Sequence, residues 1–349
     1  MFSLEIGFGQ RRWSTDGTDA TNGTDATNGT NVGATKATSY GYRSALKLTA
    51  TTSINNELNF YAHHQKWDFD DVTIPRFYCG RKAGDGVAAG YIALEWVDQI
   101  EAQYLYDSPG EPGFLDIVRI AANFHAKAIK NPTLLGDIPE NVPRKLNAQF
   151  IKAGAVCSNL DKIIEKEPAR AEQIEVLKKF TDLYDKKDKI LELKRETCPI
   201  EVLCHGDLTQ ANVLWERVDE QLRLKALHDW QMNHPGNPMT DLSRLFALCI
   251  APGVSNNKRN EYLEIYFDEL KQQASPAQIP WETSEKLIES FERIFPIETV
   301  SVCGLLVPFI PLMLRTCSED EKVEKEARIM EKVYKALDLC EEYIKKWHQ

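Results

Sequence analysis

The sequence lacks the paired cysteines of a structural zinc site. Its eight cysteines are scattered, and none forms a Cys-x-x-Cys pair, so neither a zinc site nor a disulfide framework is predicted. An excess of basic charge is also missing, because 42 Lys and Arg stand against 52 Asp and Glu and leave a net charge of −10. This balance argues against nucleic acid and anionic membranes as partners.

Long apolar runs are scarce as well. The longest, Val302 to Leu314, contains Pro308 and Pro311 and is shorter than the ~20 residues that cross a bilayer. We therefore expect buried core and no membrane insertion. The N-terminal stretch lacks a signal-peptide pattern, since its basic pair follows the short apolar segment. Together with cysteines expected to be reduced, this predicts a cytoplasmic protein.

What is present fits a globular chain of 349 residues with 43% hydrophobic and 27% charged residues. That length favours two domains or one two-lobed domain. Residues 14–33 repeat a hexad close to Thr-Asp-Ala-Thr-Asn-Gly with almost no apolar side chain. Such a segment buries too little surface to order itself, so it is predicted to be a flexible loop.

Two kinds of periodicity divide the chain. Up to residue 97 the pattern predicts a small mixed sheet with one helix, in the order strand, helix, strand, strand. From Phe114 apolar residues recur with the helical period of 3.6, and helices dominate the rest. We therefore predict an N-terminal lobe over 1–97 and a helical C-terminal lobe over 98–349. The predicted elements are strands at 42–52, 73–79 and 88–97, and helices at 55–65, 114–130, 151–166 and 171–195.

The segment from Val202 to Asp241 carries the candidate chemistry. A strand leads into His205, Gly206 and Asp207, Asn212 follows five residues after the aspartate, and Asp229 ends another apolar strand. Carboxylate and carboxamide oxygens at strand ends are hard ligands and proton acceptors of the kind that a magnesium–phosphate reaction uses. Phosphoryl transfer needs the metal held, the phosphates aligned and the attacking hydroxyl's proton accepted.

The spacing His-x-Asp-x-x-x-x-Asn followed by a strand-end Asp is typical of kinase catalytic machinery. The run HGDLTQANVLW, then HDWQ and PMTDLSRL, resembles the aminoglycoside phosphotransferase and choline kinase group, and more closely its CHK kinase-like (ecdysteroid kinase-like) branch. The resemblance covers about residues 40–345 and is more specific in the C-terminal half. It implies an α+β, two-lobed protein kinase-like fold, with a small N-terminal sheet lobe, which this chain could abbreviate, and a larger, mostly helical C-terminal lobe.

The resemblance also implies roles in a catalytic loop at 202–215 and a metal-binding strand end at 227–231. Asp207 is similar to the catalytic base that takes the acceptor hydroxyl proton. Asn212 and Asp229 are similar to the magnesium ligands. Three further residues are expected to give structural support to these segments: His205, Gln231 and Asp241.

The nucleotide site is harder to assign from the sequence. A kinase site uses a strand lysine oriented by a helix glutamate, and the candidates are Lys47 and Glu57, only ten residues apart. An alternative alignment makes GYRSALKLT the nucleotide-covering flap, which would leave the lysine strand missing. Glu95 and Val97, in the run LEWV, resemble the hinge that pairs with adenine, the alternative being an ordinary edge strand.

The function that follows is ATP- and Mg²⁺-dependent phosphorylation of a small-molecule hydroxyl on a sterol-like, choline-like or xenobiotic alcohol. Protein substrates are disfavoured, because a short stretch from Met232 leads straight to Asp241. The alternative is a weak or inactive pseudokinase that binds nucleotide or a hydrophobic ligand, motivated by the compressed N-terminal lobe. A carrier that uses only the helical lobe is a third hypothesis, and the oligomeric state is not readable. His125 is expected to be a packed helix histidine.

Overall fold

The computed structural model describes most of the chain. The described residues are 44–49, 53–64, 67, 69, 72–84, 89–138, 154–181 and 187–348. The predicted loop at 14–33 lies outside them, as does the start of the first predicted strand.

The N-terminal sheet has three antiparallel strands in the order β1-β3-β2. They are β1 (Ser44–Thr49), β2 (Phe77–Arg81) and β3 (Gly90–Glu95), and helix α1 (Ser53–His63) lies between β1 and β2 in the chain. The predicted order of strand, helix, strand, strand is therefore confirmed. The third strand ends at Glu95, so the prediction that it continues to Val97 was two residues too long.

Helix α2 (Gly110–Lys130) opens the helical part of the molecule. Its buried face includes Phe114, Ile117, Val118 and Ala121, which follow the helical period expected for one apolar stripe. The predicted helix began four residues later, at Phe114, because the first turn carries little apolar signal.

More helices complete this part of the chain. The predicted helix at 171–195 corresponds to two helices, and residues 182–186 between them lie outside the described ranges. The last helix starts with the capping box formed by Ser318 and Glu321. The helices are α3 (Ala155–Lys166), α4 (Ala171–Thr181), α5 (Lys187–Thr197), α6 (Met239–Leu248), α7 (Asn256–Ala274), α8 (Ser284–Leu306), α9 (Ile310–Met313) and α10 (Glu319–Trp347).

Four short strands between α5 and α6 carry the motifs. They form two antiparallel pairs, β4 with β7 and β5 with β6. Residues 219 and 220 connect β5 to β6 with positive φ angles of 48° and 64°, which suit a tight hairpin turn. The strands are β4 (Val202–Cys204), β5 (Val213–Val218), β6 (Gln221–Leu227) and β7 (His234–Gly236).

One apolar helical stretch, Ser284–Met313, is long enough to span a membrane by length and composition. However, 76% of its most apolar window is buried inside the protein. The buried side chains include Phe291, Phe295 and Ile297. A core helix passes the same test, so the finding is weak evidence for a span.

Gly113 sets the contact between α2 and the β5–β6 hairpin. A Cβ at this position would lie 2.8 Å from the Trp215 ring and 3.1 Å from the Leu222 carbonyl oxygen. Both neighbours are part of the packed hairpin, so neither can withdraw without moving backbone. The close approach of helix and hairpin therefore depends on glycine.

We predict that Gly113→Ala destabilises the protein by about 1–3 kcal/mol through overpacking. The sign is informative, because alanine ordinarily favours a helix interior over glycine by about 1 kcal/mol. The measurement is the free energy of unfolding in urea. Gly136→Ala is the matched control, since nothing lies within 4 Å of its added Cβ. A Gly113→Ala protein as stable as wild type would contradict the packing argument.

Candidate active site

Lys47 connects three elements of the fold. Its Nζ lies 2.7 Å from Glu57 Oε2 and 2.7 Å from Asp229 Oδ1. The lysine is on β1, the glutamate is on α1, and the aspartate follows β6. The two carboxylates are 1% and 7% exposed and the lysine side chain 14%. The ammonium group of Lys47 therefore joins the N-terminal sheet and helix α1 to the segment 227–231 at the end of β6.

The charges of this cluster are set by one another. Burial alone would lower the pKa of Lys47, but Asp229 and Glu57 raise it above its usual range. Burial raises the pKa of Glu57 against the attraction of Lys47. Burial also opposes ionisation of Asp229, yet Lys47 holds the pKa of that carboxyl below its ordinary value. Within the described part of the chain one cation pairs with two acids, so the net negative charge of the cluster favours a further cation beside Asp229.

Helix α1 is fixed directly to the segment that follows Asp229. The Phe60 ring stacks on Trp230, with centroids 4.0 Å apart and planes inclined by 8°. Asn56 Nδ2 donates hydrogen bonds to the carbonyl oxygens of Gln231 and Asn233, both at 2.8 Å. These contacts orient Glu57 toward Lys47, which explains how a ten-residue separation is enough.

Asp229 itself has a backbone that few side chains adopt. Its φ is 64° and its ψ is 57°, in the left-handed region, which aspartate tolerates better than most residues. The chain turns here from β6 into a single 3-10 turn, Trp230–Met232. Gln231 Nε2 donates to Asp229 Oδ2 at 3.4 Å. The strained turn presents the carboxylate at the strand end, a placement typical of functional positions.

The loop after β4 is held by a buried carboxylate. Asp241 accepts hydrogen bonds from the backbone N–H of His205 at 2.7 Å and of Gly206 at 2.8 Å. His125 Nε2 lies 3.2 Å from the same carboxylate, and His125 Nδ1 lies 2.7 Å from the Tyr266 hydroxyl. Burial opposes ionisation, but these hydrogen bonds and nearby charges keep the pKa of Asp241 below its usual range.

Gly206 must be glycine in this structure. Its φ is +80°, and an added Cβ would lie 2.2 Å from the Met232 carbonyl oxygen. The loop therefore rests directly on the backbone that follows Asp229. This close contact explains why the motif reads His-Gly-Asp, since any side chain at the central position would push the two segments apart.

Asp207 and Asn212 are joined to the strand end that carries Asp229. Asn212 Nδ2 donates to the Asp207 carbonyl oxygen at 2.7 Å and to Asp207 Oδ2 at 3.1 Å. His228 N–H donates to the Asn212 carbonyl oxygen at 3.0 Å. His205 Nε2 lies 3.0 Å from the His228 carbonyl oxygen. The two predicted segments, 202–215 and 227–231, thus form one hydrogen-bonded unit.

The imidazole ring of His205 connects the backbone of Asp207 to the backbone of His228. Asp207 N–H donates to His205 Nδ1 at 3.3 Å, so Nε2 is the nitrogen that carries the proton and donates to the His228 carbonyl oxygen. A neutral imidazole with this tautomer satisfies both contacts. The contacts are those of a residue that supports the loop.

Arg244 is part of the site and was not predicted. Its Nη1 lies 2.7 Å from Asp207 Oδ1. It stands on α6 three residues after Asp241, so the two side chains share a helix face. The three-residue spacing between Asp241 and Arg244 on a helix could therefore have predicted that Arg244 lies near the loop.

The hinge candidates lie where the N-terminal sheet ends. Glu95 N–H donates to the Arg76 carbonyl oxygen at 2.7 Å, and the Glu95 carboxylate accepts from Arg76 N–H at 3.1 Å. Val97 follows two residues later, beyond β3.

The donor set suits a hard divalent cation. Asn212 makes both of its hydrogen bonds to Asp207 through Nδ2, so its Oδ1 is the end that would face a metal, together with the Asp229 carboxylate. Among the described residues, a second group of potential ligands is His125, Cys204 and Asp241. Asp241 already binds the loop backbone and His125, and His125 also contacts the Tyr266 hydroxyl, so we assign no metal there.

Sequence comparison identifies the family. A model of the DUF1679 family, described as "Uncharacterized oxidoreductase dhs-27", matches residues 22–349. The chain belongs to the DUF1679 family. Two proteins of Caenorhabditis elegans are similar to it. "Uncharacterized kinase-like protein D1044.1" is 26% identical over 245 residues, and "Uncharacterized oxidoreductase dhs-27" is 22% identical over 290 residues.

The coverage of these relatives is uneven. The alignments span 68% and 80% of the DUF1679 chain, but 61% and 34% of the two relatives. The chain therefore spans less than two thirds of the length of either. All strand pairs within the described residues are antiparallel, whereas a dinucleotide-binding oxidoreductase fold depends on a parallel sheet.

Comparison of structures identifies the fold. Choline kinase from Cryptosporidium parvum Iowa II matches with a TM-score of 0.51 and 11% sequence identity, covering 89% of the DUF1679 chain and 87% of that structure. The protein has a kinase-like fold, with a small sheet lobe and a larger helical lobe. The resemblance inferred from the sequence motifs is confirmed at this level.

The buried histidines of the site give a pH dependence to the stability. Burial lowers the pKa of His234, whose Nδ1 lies 3.0 Å from the Met232 carbonyl oxygen. Burial also lowers the pKa of His228, beside Asp229, to about 4. His234 on β7 packs closely against the loop that carries Gly206, since an added Cβ at Gly206 would be 3.1 Å from the His234 ring.

We predict that wild-type stability falls as the pH is lowered from 7 toward 5. A histidine whose folded-state pKa is lowered is protonated first in the unfolded chain. Its contribution is therefore complete above the ordinary pKa of about 6.5 and is lost below it, by about 1.4 kcal/mol for each pH unit between the unfolded and folded pKa values. Urea unfolding of the metal-free protein at several pH values should show a shallower decline for His234→Gln. An equal decline in both proteins would contradict this assignment.

Proposed function

We propose that this chain is an ATP- and Mg²⁺-dependent phosphotransferase that phosphorylates the hydroxyl group of a small molecule. The observation that carries the proposal is the position of Lys47 Nζ, 2.7 Å from both Glu57 and Asp229. A lysine oriented by a helix glutamate beside a strand-end aspartate is the arrangement that kinases use for the nucleotide phosphates and their metal.

On the nucleotide side, Lys47 would bind the α- and β-phosphates and Glu57 would keep it oriented. Asp229 and Asn212 would hold Mg²⁺, which supplies charge neutralisation on the phosphates. The Glu95 carbonyl oxygen and the Val97 N–H would pair with the adenine edge. Gln231 would support Asp229 through the contact at 3.4 Å.

On the acceptor side, Asp207 would accept the hydroxyl proton, and His205 and Asp241 would hold the loop that presents it. Small acceptors are supported by the short segment between Asp229 and α6. Only nine residues, 230–238, separate them, and β7 within that segment pairs with β4. No length remains there for a docking platform of the kind that protein substrates need. We propose a sterol-like, choline-like or xenobiotic alcohol.

The pseudokinase alternative was motivated by the compressed N-terminal lobe, in which Lys47 and Glu57 are only ten residues apart. Their contact supports the active enzyme instead. We further propose that residues 1–97 form the nucleotide lobe and residues 98–349 the acceptor-binding lobe. Cytoplasmic localisation, where ATP is available, belongs to the same proposal, and the net charge of −10 supports a small-molecule partner over nucleic acid.

We predict that the purified chain transfers labelled phosphate from Mg-ATP to a member of a panel of alcohols. Asp207→Asn should lower turnover about 10²- to 10⁴-fold, the range for a lost proton acceptor, while the protein stays folded with a cooperative thermal unfolding transition. Asp268→Asn, an exposed position on α7, is the control and should behave as wild type.

Two outcomes would contradict the proposal. Nucleotide-induced stabilisation without transfer to any acceptor would support the pseudokinase. If millimolar Mg-ATP does not stabilise the protein, the chain does not bind nucleotide, and both the kinase and the nucleotide-binding pseudokinase would be ruled out.

A further inference from the structure

The ion pair between Arg244 and Asp207 is not explained by the roles above. Arg244 Nη1 contacts Asp207 Oδ1 at 2.7 Å, and the two side chains are 11% and 16% exposed. The second carboxylate oxygen, Oδ2, accepts from Asn212 Nδ2 at 3.1 Å. Both oxygens of the proposed proton acceptor therefore have partners. A base must bring one oxygen to about 3 Å from the acceptor hydroxyl. A carboxylate accepts a proton more readily when no cation is bound to it, so proton transfer to Asp207 is favoured if Arg244 turns away.

The position of Arg244 is fixed by the same contacts that fix the catalytic loop. Asp241, in the first turn of α6, binds the backbone of His205 and Gly206. Arg244 lies one turn further along the same helix face. Its guanidinium is thus delivered to Asp207 by a helix that cannot shift without disturbing the loop.

Among the described residues, the loop that carries Asp207 supplies no positive charge of its own. The loop from His205 to Asn212 contains no Lys or Arg. Lys47 is committed to Glu57 and Asp229 on the nucleotide side. Among the described contacts of Asp207, Arg244 supplies the cation. The group transferred in a kinase reaction spreads negative charge over its oxygens, and a planar guanidinium matches phosphate oxygens in pairs.

We propose that Arg244 is a further catalytic residue, which turns from Asp207 Oδ1 to bind the transferred phosphoryl group from the acceptor side. The inference rests on the proposed function. The bond between the γ-phosphorus and the β,γ-bridging oxygen breaks, and its electron pair stays with ADP. The acceptor oxygen forms the new bond to phosphorus, and its proton goes to the Asp207 oxygen that Arg244 has released. Arg244 offsets the charge on the phosphoryl oxygens throughout.

The first test measures binding and not turnover. Mg-ADP is titrated with and without aluminium fluoride, which mimics the planar phosphoryl group between donor and acceptor. Wild type should bind ADP more tightly with the fluoride. Arg244→Ala should bind ADP alone within about two-fold of wild type and lose about 10²-fold of the fluoride effect, the size expected for one charge-stabilising donor. Arg119→Ala, an exposed arginine on α2 (49% exposed), is the matched control and should keep the full effect.

The second test separates direct action from the holding of Asp207. Turnover is compared in Arg244→Ala, Asp207→Asn and the double variant. If Arg244 acts on the phosphoryl group, its removal lowers turnover further in the Asp207→Asn background. Guanidinium ion added to Arg244→Ala should restore part of the rate, and Arg244→Lys should fall between wild type and Arg244→Ala because it keeps the charge without the planar fork.

The proposal is overturned if Arg244→Ala retains the fluoride effect, or if its removal costs nothing once Asp207 is asparagine. A wild-type protein that transfers phosphate normally alongside such an Arg244→Ala protein would refute this role alone. A wild-type protein that neither binds ADP nor transfers phosphate would refute the proposed function and this inference with it.

Discussion

One ammonium group shared by two buried carboxylates is the constraint on which the rest of the site depends. Among the described residues, Lys47 is the cation that pairs with both Glu57 and Asp229. Removing either partner of a buried pair costs about 3–5 kcal/mol because a charge is left uncompensated. The lysine can satisfy both acids only if β1, α1 and the end of β6 meet at one point. The stacking of Phe60 on Trp230 also buries apolar surface where α1 contacts the segment after Asp229, so both apolar burial and charge pairing stabilise this contact.

A second set of contacts, around Asp241, fixes the loop that carries Asp207. Buried Asp241 binds the backbone of the loop that carries His205 and Asp207, and Gly206 lets that loop rest on the chain after Asp229. The same loop contacts the stretch between β3 and α2, since Gln210 Nε2 donates to the Tyr104 carbonyl oxygen at 3.0 Å. The loop is thereby connected both to the end of β6 and to the stretch between β3 and α2, so its geometry is set by contacts from several directions.

The sequence predicted those parts of the site that depend on local order. His205, Asp207, Asn212 and Asp229 stand at fixed spacings around short strands, and the structure brings them into one hydrogen-bonded unit. The contacts that were missed join distant segments. His125 was expected only to pack, yet it binds Asp241, 116 residues away. Periodicity cannot supply such pairings, because they arise only when separate helices have packed. The pairing of Lys47 with Glu57 was uncertain for a local reason. The ten residues that separate them are few in which to end one strand, turn and begin a helix.

The most direct test of this account is the effect of Mg²⁺ on ATP affinity, measured by titration calorimetry. In wild type, Mg²⁺ should tighten ATP binding by at least about ten-fold, or about 1.4 kcal/mol, because in the proposed site the Asp229 carboxylate would bind the ion. In Asp229→Asn the effect of Mg²⁺ should disappear, whereas Asp219→Asn, at the exposed turn between β5 and β6, should retain it. An undiminished Mg²⁺ effect in Asp229→Asn would contradict the account, since the cluster around Lys47 would then have no part in holding the metal.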